Sequence, residues 1–361
     1  MKDSRPELRA LTGLRGIAAM AVALGHFQQL YPTDAPFIWD NAVDLFFCLS
    51  GFTLSYVYRP EDFRFSHYLT ARIARICPLY LVTLVIVGGA IVWPLQIDPT
   101  TYPVRHALAD FLLQVLMLNS WPIIGSGVHW NSPAWSVSVE WFCYVLLFPL
   151  LLFQKAPRSA AIRLLCIVLL SATSYSLFVR HFDSNLFIPK LYEPKSQWSY
   201  WVDLLRGVFS FTAGWIVFSC YDRRDGLYNF CTKSSALLWS GVVLLTTLAY
   251  CDRINSQALM LLYPFVVLAA TDQRSIASRL LGSGPLYFLG VISYSIYMTH
   301  FALFIGVVAV FGLPATWPLS IYPLVAGISL AVFIGSYLAI ERPARNAVRG
   351  VRCMHLVRKS R

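Results

Sequence analysis

The sequence predicts an all-α integral membrane protein: a bundle of about ten transmembrane helices with both termini cytoplasmic. Three observations lead there. Of 361 residues, 57% are hydrophobic and only 13% charged, against about 25% charged in soluble domains; mean hydropathy is +0.59. The apolar residues fall in runs long enough to cross a bilayer. The basic residues fall in the short stretches between those runs. The formal net charge of +11 therefore reads as topology rather than as a nucleic-acid surface, and no nucleic-acid partner is expected.

The runs lie near 10–31, 41–58, 74–94, 134–153, 162–180, 200–221, 234–251, 257–272, 286–311 and 318–340. A span needs roughly 17–25 residues, so 257–272 is short. The first run, 8–31, is longer than the apolar core of a secretory signal and has no small-residue cleavage pattern after it, so it reads as a retained span. The run 106–119 is shorter still and carries Asp110 and Gln114. If it does not cross, a cytoplasmic N-terminus leaves only Arg105, Arg180, Lys190, Lys195, Arg206 and Arg253 of the 29 Lys and Arg outside. If it crosses, Lys155, Arg223, Arg224 and the basic C-terminal stretch move outside. The segment is therefore expected to lie in the interface or to dip in and return. Residues 1–341 form one transmembrane domain and 342–361 a basic cytoplasmic tail that anchors to lipid headgroups. The eight cysteines include no CxxC pair, and neither a disulfide framework nor a metal site is expected.

Ionisable side chains inside spans are costly and mark candidate functional groups. Arg15 and His26 share the first span, about 16 Å apart along its axis. Loop charges place Arg15 in the cytoplasmic half and His26 in the outer half. The same bookkeeping puts Glu140 about two turns, and His300 about four turns, into their spans, with Asp44 near the outer end of the second. His26, Glu140, His300 and Asp44 are thus expected at one depth. A neutral imidazole there can act as a general base, and a carboxylate can orient it. Each of these residue types also occurs as a packed structural group. On the cytoplasmic side, Arg72 and Arg75 stand at i and i+3 at the start of the third span, close to Arg15. Guanidinium groups so spaced suit phosphates, and they also suit plain positive-inside topology. A proton-coupled transporter or glycolipid flippase would use the same residue types, although no inverted repeat is visible. A non-catalytic anchor would need none of them.

Six ordered motifs carry a family resemblance. They are Leu8-Arg9-Ala10-Leu11-Thr12-Gly13-Leu14-Arg15 running to His26, Val43-Asp44-Leu45-Phe46-Phe47, Arg72-Ile73-Ala74-Arg75 with Pro78 and Tyr80, Trp135-Ser136-Val137-Ser138-Val139-Glu140, Tyr294 to Tyr297 with His300, and Glu341-Arg342-Pro343. Over nearly the whole chain they resemble acyltransferase family 3, the multi-span membrane O-acyltransferases. The departures are Asn41-Ala42, where the family usually has glycines, and Trp141-Phe142-Cys143-Tyr144, where it often has Glu-Gln-Phe-Tyr. Relatives that carry an appended soluble domain differ from this sequence, in which none is visible. The resemblance implies a cytoplasmic acyl-CoA donor, most often acetyl-CoA, and no metal. It implies an acceptor hydroxyl on a surface or exported glycan or lipid-linked sugar, or on a small molecule such as a macrolide. His26 would be the base and Arg15 its partner. Arg15, Arg72 and Arg75 would meet the CoA phosphates, and Glu140 would be an acid near the site. Oxyanion donors would come from Trp135, Ser136, Ser138 or Tyr294. A bacterial inner membrane is the expected location.

Overall fold

The computed structural model describes residues 5–28, 41–88, 104–125, 131, 133–181, 197–311 and 321–348, and among them every regular element is helical. That is what apolar runs must do where no water can satisfy the backbone. In order, the helices are α1 (Arg9–Gln28), α2 (Ala42–Val57), α3 (Phe65–Val85), α4 (Val104–Val115), α5 (Ala134–Phe142), α6 (Phe148–Leu152), α7 (Ala160–His181) and α8 (Gln197–Arg223). They continue as α9 (Gly226–Lys233), α10 (Ser235–Tyr250), α11 (Tyr263–Ala269), α12 (Ile276–Leu281), α13 (Gly284–Val291), α14 (Ser293–Phe311) and α15 (Ile321–Ser336).

The protein is an integral membrane protein, and among the described residues the count of ten spans is not confirmed by length and composition. Six described helices qualify: Arg9–Phe27, Phe65–Gly88, Ala134–Leu152, Ala160–Arg180, Trp198–Arg223 and Ile321–Val348. Two broken pairs, α9 with α10 and α13 with α14, each bent by 67°, raise the count to eight. The helix α2 has 16 residues, about 24 Å, short of the roughly 30 Å hydrocarbon core. The run 257–272 splits into a 3₁₀ turn, Ser256–Leu261, and the seven residues of α11, which Pro264 opens. Apolar composition alone does not reveal such breaks. At the C-terminal end, the last qualifying helix runs on to Val348, past the expected boundary at 342; residues 349–361 of the expected tail lie outside the described set.

The segment 106–119 is too short to cross as one helix. Its helix, α4, has 12 residues, about 18 Å. The chain then turns with positive φ at Met117 and Ile123. This turn is buried and polar: Gln114, Asn119 and Ser120 are fully covered. Tyr80 donates to the Gln114 carbonyl at 2.8 Å. Ser138 Oγ accepts from Ser120 N–H at 3.0 Å and donates to the Met117 carbonyl at 2.8 Å. Trp121 Nε1 donates to the Ser138 carbonyl at 3.1 Å. Buried backbone must be satisfied, and one serine of α5 does much of that work.

Glycines set the closest crossings. A Cβ on Gly214 of α8 would lie 2.0 Å from the Cys48 carbonyl oxygen of α2. A Cβ on Gly290 of α13 would lie 1.8 Å from the Thr12 carbonyl oxygen of α1. Small residues let membrane helices pack this tightly. The second crossing matters for function, because it holds α1 against the α13–α14 pair. Gly214→Val is expected to destabilise the fold by about 1–3 kcal/mol through overpacking, read as a lower thermal midpoint in detergent; an unchanged midpoint would contradict this contact.

Candidate active site

Two histidines 274 positions apart in sequence meet through that crossing. The His26 and His300 ring centroids lie 4.9 Å apart at an interplanar angle of 57°. His26 Nδ1–H donates to the Val22 carbonyl at 2.9 Å. His300 Nδ1–H donates to the Ile296 carbonyl at 3.2 Å. Both bonds reach back one helical turn and assign the proton to Nδ1, which leaves the Nε2 lone pair as the basic site of each neutral ring. Phe301 meets His26 edge-on at 5.9 Å. His300 is fully buried, and its Nε2 has no hydrogen-bond partner.

The two carboxylates expected beside the histidines are engaged elsewhere. Asp44 pairs with Arg206 at 2.6 Å, both 1% exposed, and accepts from Ser210 at 3.3 Å. The Arg206 guanidinium lies 3.7 Å from the Phe178 ring centroid and 5.4 Å from that of Trp135. Arg206, expected among the outer loop charges, is thus a buried group of α8. The reason is electrostatic: two opposite charges removed from water must neutralise one another.

Glu140 joins the arginines instead. Its Oε1 accepts from Ser50 at 2.7 Å and from Tyr144 at 2.5 Å. Arg15 lies within Coulombic range of Arg75, Tyr144, Glu140 and Glu341; Arg75 is within range of Arg72, Arg345 and Glu341. Arg72 sits among the rings of Tyr58, Tyr68 and Tyr144, 5.7–5.9 Å from their centroids. Glu341 accepts from Ser295 at 2.9 Å and from Arg345 at 3.2 Å. Among the described residues, Arg15, Arg72 and Arg75 make no hydrogen bond and no ion pair, and Arg72 Nε is buried without a partner. Four guanidinium groups against two carboxylates leave a positive excess in a largely covered place. Such an excess is costly unless an anion completes it. Two π-helical turns flank the cluster, Cys143–Leu147 with Tyr144 and Tyr337–Glu341 with Glu341; such turns recur at functional sites.

A cleft opens beside the arginines. Arg15 and Glu140 line it, as do Ser136, Tyr294, Tyr297 and the apolar Val43, Phe46, Phe47 and Val137. Tyr297 also faces the histidines, its ring centroid 5.7 Å from that of His300. Ser136 Oγ and the Tyr297 hydroxyl lie 2.6 Å apart. Of the other expected oxyanion donors, Tyr294 donates to the Ile76 carbonyl at 2.7 Å, Ser138 is held by the buried turn, and Trp135 packs on Arg206. Sequence reading gave no role to Tyr144 and Tyr297, and Glu341 entered only as part of a closing motif. Their one signal was position: a polar hydroxyl or carboxylate inside a motif-bearing apolar run.

The domain model described as "Acyltransferase domain" matches residues 8–339. The chain is similar to Acyltransferase MdmB of Streptomyces mycarofaciens, 36% identical over 156 residues, covering 40% of this chain and 38% of that protein. It is also similar to Protein 2 in picA locus of Rhizobium radiobacter, 32% identical over 155 residues, covering 39% of this chain and 81% of that protein. The match thus spans well under half the length of the first of these relatives. No solved structure matches.

Proposed function

This chain belongs to the acyltransferase family whose domain model spans residues 8–339, and from that premise we propose that it moves an acyl group, most simply acetyl, from cytoplasmic acyl-CoA to a hydroxyl of a surface or exported glycan. His26 is the base. One observation carries this reading: a cleft lined by Arg15 and Glu140 is also lined by Tyr297, whose ring lies 5.7 Å from that of His300, which in turn lies 4.9 Å from that of His26. Acyl-CoA has the matching form, with phosphates at one end and a thioester at the end of a long thin arm. Guanidinium groups suit the phosphates. A neutral imidazole suits the hydroxyl.

In this mechanism the CoA phosphates rest against Arg15, Arg72 and Arg75, and the arm runs through the cleft. The acceptor hydroxyl gives its proton to His26 Nε2 as its oxygen attacks the thioester carbonyl. Collapse expels the CoA thiolate, which takes the proton from His26. In this reading the arginine side faces the cytoplasm, in line with the loop charges, so CoA stays inside while the ester forms nearer the outer face. Glu140 and Glu341 hold the arginines in register; Asp44 serves the fold. Family membership favours acyl transfer over transport, and transfer needs no sealed compartment.

The test is purified protein in detergent with labelled acetyl-CoA and deacylated glycan. Acceptor-dependent release of CoA thiol is expected, and its absence would overturn the proposal. Arg72→Ala combined with Arg75→Ala is expected to raise the donor KM roughly 10–100-fold, the loss of one or two charge-assisted bonds. The acceptor KM should hold. A donor KM equal to that of the unmodified protein would return these arginines to topology.

A further inference from the structure

We propose that Tyr297, aligned by Ser136, is the oxyanion donor of this transfer; the inference rests on the acyl-transfer reading above. Three atoms form a tight triangle. Ser136 Oγ and Tyr297 Oη are 2.6 Å apart. Ser136 donates to the Pro133 carbonyl at 3.1 Å, and Tyr297 reaches the same oxygen at 3.2 Å. Two hydroxyl protons are thus shared by one carbonyl and the two hydroxyl oxygens. When Ser136 donates to Tyr297, the phenolic oxygen stays fixed while its own proton swings to a new acceptor at little cost. A phenol is the more acidic of the two hydroxyls, and a donor that is itself hydrogen-bonded is polarised further.

Position supports the same assignment. Tyr297 and His300 stand three residues apart on α14, so they share one helical face. Phe46 packs against the Tyr297 ring at 5.8 Å, and His300 lies at 5.7 Å; the ring cannot drift. Its hydroxyl partner, Ser136, lines the cleft beside it. A thioester carbonyl arriving through the cleft therefore meets the phenol as it approaches the imidazoles. The tyrosine one turn earlier, Tyr294, has its proton committed to Ile76.

The step balances. The acceptor oxygen forms a bond to the thioester carbon, and its proton goes to His26 Nε2. The carbonyl π pair becomes an oxyanion that accepts from the Tyr297 O–H. The pair then re-forms C=O, the C–S bond breaks, and the thiolate takes the proton back from His26. The products are an ester and CoA thiol.

Tyr297→Phe keeps the ring and removes the donor. It is expected to lower kcat by about 10²–10³-fold, while acetyl-CoA binding and both KM values stay within about threefold, because the bond forms only in the transition state. Ser136→Ala, as a positioning change, should lower kcat by roughly tenfold and add nothing in the Tyr297→Phe background. If Tyr297→Phe does not accumulate, Ser136→Ala decides alone. A kcat within threefold of the unmodified protein, or a loss confined to KM, overturns the oxyanion assignment and leaves the transfer and His26 standing. No transfer by the unmodified protein would instead sink the reading beneath it.

Discussion

Replacing His26 with alanine is expected to lower kcat by about 10²–10⁴-fold, the usual worth of a positioned general base, and so to bring transfer to background in a membrane assay. The protein should still insert and accumulate. His26 is half-buried at the end of α1, and its ring meets those of His300 and Phe301. His26→Gln is the stricter variant, since it keeps a polar side chain of similar reach but cannot take a proton at neutral pH. Both variants should still bind acetyl-CoA, whose phosphates lie at the arginines. Full transfer by either would remove His26 from the chemistry.

The second large effect is on stability. Arg206→Ala is expected to cost about 3–5 kcal/mol, because it strands the Asp44 carboxylate in a place where both partners are 1% exposed. The detergent-purified variant should unfold at a markedly lower temperature and accumulate poorly. Adding Asp44→Asn should recover part of the loss by removing the stranded charge. The same pair of variants separates two roles for Asp44. If it is structural, Asp44→Asn lowers the thermal midpoint but leaves kcat per folded molecule intact. If it takes part in acyl transfer, kcat falls while the midpoint holds.

Asp44 also shows where sequence reading runs out. Its place in an apolar run was readable, but its partner was not, because Arg206 looked like one more topology residue. Only packing of α2 on α8 distinguishes a loop cation from a buried one. The surroundings of Glu140 were hidden for a related reason. Counting turns from a span edge ranks it with the histidines, yet its hydrogen bonds to Ser50 and Tyr144 turn it toward Arg15 and Arg72. The meeting of His26 with His300 was legible, since both depths came from the same charge pattern and both helices are long. The tyrosines were not: within an apolar run a phenol reads as core until a partner is seen. Ten apolar runs were read where six to eight spans qualify among the described residues, because hydropathy follows composition, while the breaks near Leu262, Ser234 and Ile292 follow local backbone geometry. The all-helical membrane fold needed none of that detail, because the bilayer permits little else from runs of this length.

The central claim is that a thioester anchored at Arg15, Arg72 and Arg75 reaches the His26–His300 pair through the cleft. A structure with a non-hydrolysable thioether analogue of acetyl-CoA tests it most directly. The phosphates should contact those arginines, and the acyl carbonyl should lie roughly 3–3.5 Å from the Tyr297 hydroxyl, beside His26. An analogue bound with its phosphates away from the arginines, or with its acyl end directed away from both imidazoles, would contradict it.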